Sequence, residues 1–271
     1  MENSVLSRFT KLSGTHRLIE KTNGENIKIM IVDTGIEEDL LINPNKIVYK
    51  YNDIKNEEGL SDKANHGTAI TNLVQAVAPD SDIYFVKALN GLNKGTPANI
   101  YKAITIALSQ KVDILCLSLG TNAELSVSTK KVLQSAIKSG MIVVSASGNF
   151  NRNYLQNPAR VEGVISVGGL NKELDDKWEK SNYNAKMDFV APAESVEAVG
   201  ISGNIELRNG TSFANAIVVG QIALMMSYLK SKGVPFTSSM LEEYGSNETR
   251  KLLTGKGFID INKFIDEHEG R

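Results

Sequence analysis

Short apolar runs alternate with longer amphipathic segments along most of the chain. Residues 27–32 form a nearly continuous β-branched run, the pattern of a strand buried on both faces. Similar runs occupy residues 83–86, 114–117, 141–145 and 164–167. Helical spacing fills the intervals at 69–78, 97–110 and 126–138. In the second of these, Ile100, Ala103, Ile104, Ala107 and Leu108 fall on one face, and Pro97 suits a first helical turn. A long helix is expected over 212–231, stopped by Gly233 and Pro235. Strand–helix–strand alternation of this kind predicts an α/β fold, a mainly parallel central sheet flanked by helices. No internal repeat or linker-like stretch interrupts it, so residues 1–271 read as a single domain, with an N-terminal segment of about 26 residues before the first strand.

Composition narrows the function classes. With 41% hydrophobic positions among 271 residues, a sizeable core is possible. Thirty basic against thirty-one acidic residues leave a net charge of −1, which argues against nucleic acid and against a polybasic membrane anchor. A single cysteine, Cys116, excludes a disulfide framework, and its place in an apolar run makes it core packing. The opening Met1-Glu2-Asn3-Ser4-Val5-Leu6 has no apolar signal-peptide region. The longest apolar run, 216–226, is short for a membrane span and is interrupted by Gln221. A cytoplasmic protein without membrane or nucleic-acid partners is the expectation.

Three strings stand where a parallel sheet would place chemistry. Asp33-Thr34-Gly35 follows the first buried strand at its carboxyl end. His66-Gly67-Thr68 opens the helical segment that ends at Ala78. Gly210-Thr211-Ser212 opens the long helix, which sets a serine hydroxyl at a helix N-terminus, where developing negative charge is favoured. A serine hydroxyl needs a neighbouring base to act as nucleophile, histidine titrates in the right range, and a carboxylate can hold the imidazole in one tautomer. Each residue alone has an ordinary use: Asp33 as a turn residue, His66 at the surface, Ser212 as a helix cap. Their joint occurrence at three element boundaries is what points to nucleophilic catalysis. A fourth string, Ser145-Ala146-Ser147-Gly148-Asn149, ends an apolar strand and offers the Asn149 amide as a donor to an oxyanion.

These strings together resemble the subtilisin-like serine proteases, or subtilases, over about residues 27–220. The order Asp, His, Ser is that of subtilisin itself. The resemblance implies a subtilisin-like three-layer fold, catalytic roles for Asp33, His66 and Ser212, and an oxyanion role for Asn149. It also implies that Ser118, Leu119 and Gly120 pair with substrate backbone as an added strand. Ser118, Leu119, Gly120, Ala146, Ser147, Gly148 and Gln156 would then line the pocket for the residue before the scissile bond. Asn157-Pro158-Ala159 matches a family turn whose proline is usually cis, and Asp188-Phe189-Val190-Ala191-Pro192 matches another recurrent stretch. The chain departs from the family after the serine, where Phe213-Ala214-Asn215-Ala216 replaces the usual Met-Ala-x-Pro. The insertion that carries a calcium loop in many subtilisins is missing between Ala76 and Val77-Ala78-Pro79, so neither a metal site nor a cofactor is expected.

Two other readings fail on the residues. An α/β-hydrolase order, Ser212–Asp260–His268, is present, but Gly210-Thr211-Ser212-Phe213-Ala214 lacks the second glycine of the nucleophile elbow. His268 also lies in a charged tail with no evident support. A dinucleotide site would need Gly-x-Gly-x-x-Gly after the first strand, and none is present. The expected activity is therefore serine endopeptidase action on an extended peptide. Short length, and the expectation that neither an export signal nor a prodomain is present, resemble the cytoplasmic subtilases that remove leader peptides from lanthipeptide (lantibiotic) precursors. A broader intracellular housekeeping protease, and a catalytically silent peptide-binding module of the same fold, are the alternatives. The charged loop at 175–180 is expected to be solvated, with Trp178 unexplained.

Overall fold

Continuous apolar runs become strands buried on both faces, and they assemble as the alternation predicts. The computed structural model describes residues 4–246 and 255–269. Its main sheet holds β1 (Lys28–Asp33), β2 (Ile47–Asn52), β3 (Asp82–Lys87), β4 (Ile114–Leu117), β5 (Ile142–Ala146), β6 (Ile165–Leu170) and β7 (Phe189–Pro192). They lie in the order β2-β3-β1-β4-β5-β6-β7, and each neighbouring pair is parallel. Strand β1 lies inside the sheet, paired through Ile29↔Ile83 on one side and Ile29↔Ile114 on the other.

Alternation along β1 sends neighbouring residues into opposite cores. Ile29 and Ile31 join the layer built with α3 (Gly67–Val77) and α6 (Thr211–Ser231). Met30 and Val32 join the layer with α4 (Pro97–Gln110) and α5 (Val127–Lys138). Helices α4 and α5 are capped by Thr96 and Ser126, whose side chains accept from the backbone N–H of Asn99 and Thr129. The result is the helix–sheet–helix sandwich expected from the sequence. By length and hydropathy α6 could cross a membrane, but 89% of its apolar stretch is buried inside the protein. Gln221, which breaks that stretch, donates to Thr15 and Ser13 at 2.8 and 3.3 Å.

Several elements were not legible in the pattern. Two short helices, α1 (Val5–Leu12) and α2 (Thr15–Ile19), precede the first strand, with Phe9 and Leu18 fully buried. An antiparallel hairpin, β8 (Val196–Val199) and β9 (Ile205–Arg208), stands apart from the main sheet. The last helix, α7 (Ile261–His268), corrects the picture of an unsupported charged tail. Its final residue, His268, is buried against Phe264 and Tyr244, with Nδ1 2.9 Å from the Phe264 carbonyl. Trp178 is likewise buried, and its backbone N–H donates to Gly169 at 2.8 Å, so the charged loop around it is anchored by an indole. The peptide bond Asn157–Pro158 is cis, as the resemblance implies.

Candidate active site

The carboxyl ends of β1, β4 and β5 converge on the N-termini of α3 and α6, and the four highlighted strings meet there. Asp33 is the last residue of β1 and is fully buried. His66 caps α3, and its Nδ1 lies 2.7 Å from Asp33 Oδ1. That contact assigns the proton to Nδ1 and leaves the other ring nitrogen as an acceptor. Burial pulls the His66 pKa down, but the charge and hydrogen bond of Asp33, helped by the charge of Asp62, outweigh it and raise the pKa above 6.5. The ring is partly exposed, with 16% of its side chain open to solvent.

Ser212 is the second residue of α6. Gly210, its N-cap, has φ of +153°, a conformation that favours glycine, and this delivers the chain into the helix beside Asn149. The Ser212 hydroxyl donates to the Ser118 carbonyl at 3.0 Å, and the Ser118 hydroxyl returns a bond to the Ser212 carbonyl at 3.0 Å. The resting hydroxyl is therefore engaged with the Ser118 carbonyl, and it must leave that bond to meet the imidazole. Phe213, in the position where the family has methionine, packs against the His66 ring with centroids 5.8 Å apart.

Asn149 is anchored by its carbonyl. Oδ1 accepts from the Thr211 N–H and hydroxyl, each at 2.9 Å, which leaves the amide nitrogen as a donor with no protein partner among the described residues. A cleft of about 530 Å³ runs from this point, lined by Ser118, Leu119, Gly120, Ala146, Gly148 and Gln156 along with Ser212. Ser147 does not line it: its side chain is fully buried and donates to the Asn182 carbonyl at 3.3 Å, because alternate residues leaving β5 face opposite ways. Gln156 packs against both Gly120 and Gly148 and donates to Asn122 at 2.9 Å, so an amide forms part of the cleft wall.

Sequence reasoning missed Asp62, Thr34, Thr68 and Lys87, which hold the Asp33–His66 pair from behind. Asp62 is fully buried; Oδ1 accepts from the Thr34 hydroxyl at 2.6 Å, and Oδ2 accepts from Thr68 N and Oγ1 at 2.8 and 2.7 Å. The Thr34 hydroxyl in turn accepts from the Gly67 N–H at 3.0 Å. The buried Lys87 ammonium donates to the Thr34 and Ser61 carbonyls and pairs with Glu57 at 3.0 Å. The available signal was the strings themselves, since Thr34 and Thr68 each sit one or two places from a highlighted residue. Cys116 lies under the site, and burial pushes its thiol up to about 12, so it is inert packing. Among the described residues, no group of three or more His, Cys, Asp or Glu side chains is placed to hold a metal.

The arrangement matches a known family along most of the chain: the subtilase family model covers residues 24–257. The chain belongs to the subtilase family. It is 30% identical to Subtilisin DY of Bacillus licheniformis over 88% of this chain and 90% of that protein. It is 33% identical to the Major intracellular serine protease of Bacillus subtilis (strain 168), over 87% of this chain and 81% of that protein. A solved structure titled as that of a lanthipeptide protease superposes with a TM-score of 0.85 at 20% identity, covering 95% of this subtilase and 92% of that chain. At that identity the superposition establishes the fold, which is the subtilisin-like α/β fold. As a member of this family the protein is a serine protease, and its substrate is a peptide.

Proposed function

We propose that Ser212 is the nucleophile of this subtilase, His66 its general base and then acid, and Asp33 the carboxylate that orients His66. The observation that carries the proposal is the 2.7 Å contact of buried Asp33 with His66 Nδ1, at the mouth of the cleft that ends on Ser212. On substrate binding the Ser212 hydroxyl leaves the Ser118 carbonyl, turns to the free imidazole nitrogen and attacks the scissile carbonyl as His66 takes its proton. The proton then passes to the leaving amine, and water repeats the sequence on the acyl-enzyme. The Asn149 amide and the Ser212 N–H stabilise the oxyanion, and Asn149 is preorganised for this by its two bonds to Thr211. The substrate backbone runs extended along Ser118, Leu119 and Gly120, with Ala146, Gly148 and Gln156 around the side chain before the scissile bond.

The biological role we favour is narrow-specificity removal of the leader from a lanthipeptide precursor, by a single catalytic domain working in the cytoplasm. The close superposition on a lanthipeptide protease supports that reading. A broader intracellular proteolytic role is the second reading, favoured by the 33% identity to an intracellular serine protease. A fluorophosphonate probe should label the wild type and fail to label Ser212→Ala. Equal labelling of the two would remove Ser212 from its role, and no labelling of either would favour a silent peptide-binding module. Digestion of a leader-peptide and proteome-derived library, read by mass spectrometry, separates the two protease roles. One dominant cleavage motif supports precursor processing, whereas diffuse cleavage supports general proteolysis.

A further inference from the structure

The loop that carries Asn149 is zipped to a second loop behind it. Thr211 fixes the Asn149 side chain, but the backbone on either side of Asn149 bonds to residues 180–183. The Asn182 N–H donates to the Gly148 carbonyl and the Asn151 N–H to the Lys180 carbonyl, each at 2.8 Å, and the Tyr183 N–H donates to the Arg152 carbonyl at 2.9 Å. The fully buried Asn182 side chain adds three bonds. Its Oδ1 accepts from the Phe150 N–H at 2.9 Å and the Arg152 N–H at 3.2 Å, and its amide donates to the Ser147 carbonyl at 3.1 Å. Where residues 180–183 sit, the backbone that carries Asn149 must follow.

What holds that second loop is a cation of its own. Lys177 turns its ammonium back into the loop and donates to the Trp178 and Glu179 carbonyls at 3.0 Å each and to the Ser181 carbonyl at 3.2 Å. It also reaches across to Asn151 Oδ1 at 3.1 Å, on the loop of Asn149. The Tyr183 ring closes the cage, its centroid 5.3 Å from Nζ. The Glu179 and Ser181 carbonyls have no other donor among the described residues, so without the ammonium they would lose their protein partner. Four oxygens thus share the three protons of one ammonium, an environment that also suits a free ammonium ion. Burial pushes the Lys177 pKa below its ordinary 10.5 against the charges of Asp176 and Glu179, as befits an ammonium that has exchanged water for carbonyls.

We infer that Lys177 is a positioning residue for the oxyanion donor: its ammonium fills the carbonyl cage as a tethered cation, and through that cage it sets the loop that aims the Asn149 amide. This rests on the reading of Asn149 as an oxyanion donor. Lys177→Met keeps the apolar stem and removes the charge. On a peptide anilide it should lower kcat about tenfold with KM little changed, because a displaced donor still binds the oxyanion but binds it less well. In the Asn149→Ala background the same change should cost nothing further, since the group it places is gone. Equal losses in both backgrounds mark a general weakening of the fold and overturn the proposal, as do wild-type kinetics in Lys177→Met. Asn151→Gly, at a φ of +51° that suits glycine, removes only the bond to the Asn149 loop. It should give a smaller loss with the same dependence on Asn149.

Two further measurements separate the cage from the chemistry. Ammonium chloride supplies Lys177→Ala with a small cation that can donate, and should recover part of the lost kcat. Tetramethylammonium chloride at the same ionic strength has no N–H and should recover none, so equal rates in the two salts overturn the tethered cation. In the Ser212→Ala background, Lys177→Met should speed hydrogen exchange at the Phe150, Asn151 and Arg152 amides about tenfold and leave β5 unchanged. Unchanged protection overturns the inference even where Asn149→Ala bears out the oxyanion role. Full activity of Asn149→Ala would instead strike the oxyanion reading, and with it the part of the cage in catalysis.

Discussion

The two helices that carry His66 and Ser212 touch where one side chain is missing. A Cβ added to Gly220 in α6 would lie 2.6 Å from Val77 Cβ and 2.9 Å from Val77 Cγ1 in α3. Unstrained carbon contacts are about 3.5–4.0 Å, so Gly220→Ala forces the helices about 1 Å apart. Two effects of opposite sign compete. Alanine gains about 1 kcal/mol of helix propensity over glycine, while overpacking a filled core costs about 1–3 kcal/mol. Overpacking should win, because Val77 is fully buried and its Cβ cannot rotate away from the contact. A net loss of about 1 kcal/mol corresponds to a Tm drop of about 3 °C for a chain of this size.

The catalytic effect should exceed the thermal one. Gly220 lies about 12 Å along α6 from Ser212, and Val77 about 16 Å along α3 from His66, so helix separation propagates to both residues. A misplacement of about 1 Å at reacting groups can cost about 10²-fold. Gly220→Ala should therefore lower kcat/KM by about 10–100-fold on a peptide anilide, mainly through kcat, with Gly220→Val worse. Steady-state kinetics and a thermal melt on the same preparation provide the check. Full activity with a Tm raised by about 3 °C would refute the reasoning, since propensity alone would then govern the site.

Asn149→Ala should reduce kcat by about 10²–10³ with KM little changed, a magnitude taken from subtilisin itself, and equal losses in kcat and binding would contradict an oxyanion role. The pH profile of kcat/KM should rise through an apparent pKa above 6.5, because the base role proposed for His66 needs the neutral ring and its neighbours favour the protonated form. Asp62→Asn removes one of those charges, so the acidic limb should move to lower pH; a limb that stays or moves upward would exclude Asp62 from this role. The raised His66 pKa also stabilises the fold, fully below pH 6.5 and no longer once pH passes the folded-state pKa, which pH-dependent denaturation would reveal. Lys87→Met takes from half-buried Glu57 its buried partner and removes the donor to the Thr34 and Ser61 carbonyls, and should cost about 3 kcal/mol in urea unfolding.

Much of the architecture was legible because buried parallel strands have an unusual signature. The runs at 27–32, 83–86 and 114–117 appear as strands within a residue or so, since a sheet covered on both faces buries successive apolar positions rather than alternate ones. Strand β2 was not legible: Ile47–Asn52 alternates with Lys50 and two tyrosines at the sheet edge, so its period is ambiguous. The hairpin escaped for another reason, since the four residues of β9 are too short a run to identify a strand and its apolar side chains face solvent. Helix α1 was hidden by Ser7, Arg8, Thr10 and Lys11, and is seen only through the burial of Val5 and Phe9 against the rest of the chain. That Asp33, His66, Asn149 and Ser212 would stand at element ends on one side of the sheet was legible, because each string follows a strand or opens a helix. Ser147 was misplaced because adjacency in the string says nothing about which way a side chain turns.

The sandwich and the chemistry available to it were encoded locally. Hydrophobic period sets which residues a strand or helix must bury, and the residue types at the ends of those elements set what reactions they can support. Which groups meet is a tertiary outcome. Asp33 and His66 are 33 positions apart in the chain with 2.7 Å between their bonded atoms, while the Ser212 hydroxyl turns to a carbonyl 94 positions away. Such distances depend on how closely α3 and α6 approach, on the buried Asp62 and Lys87 that brace the loop beneath, and on packing that no local pattern encodes. Propensity acts over a few residues; the position of a reacting atom is set by every layer of the core behind it.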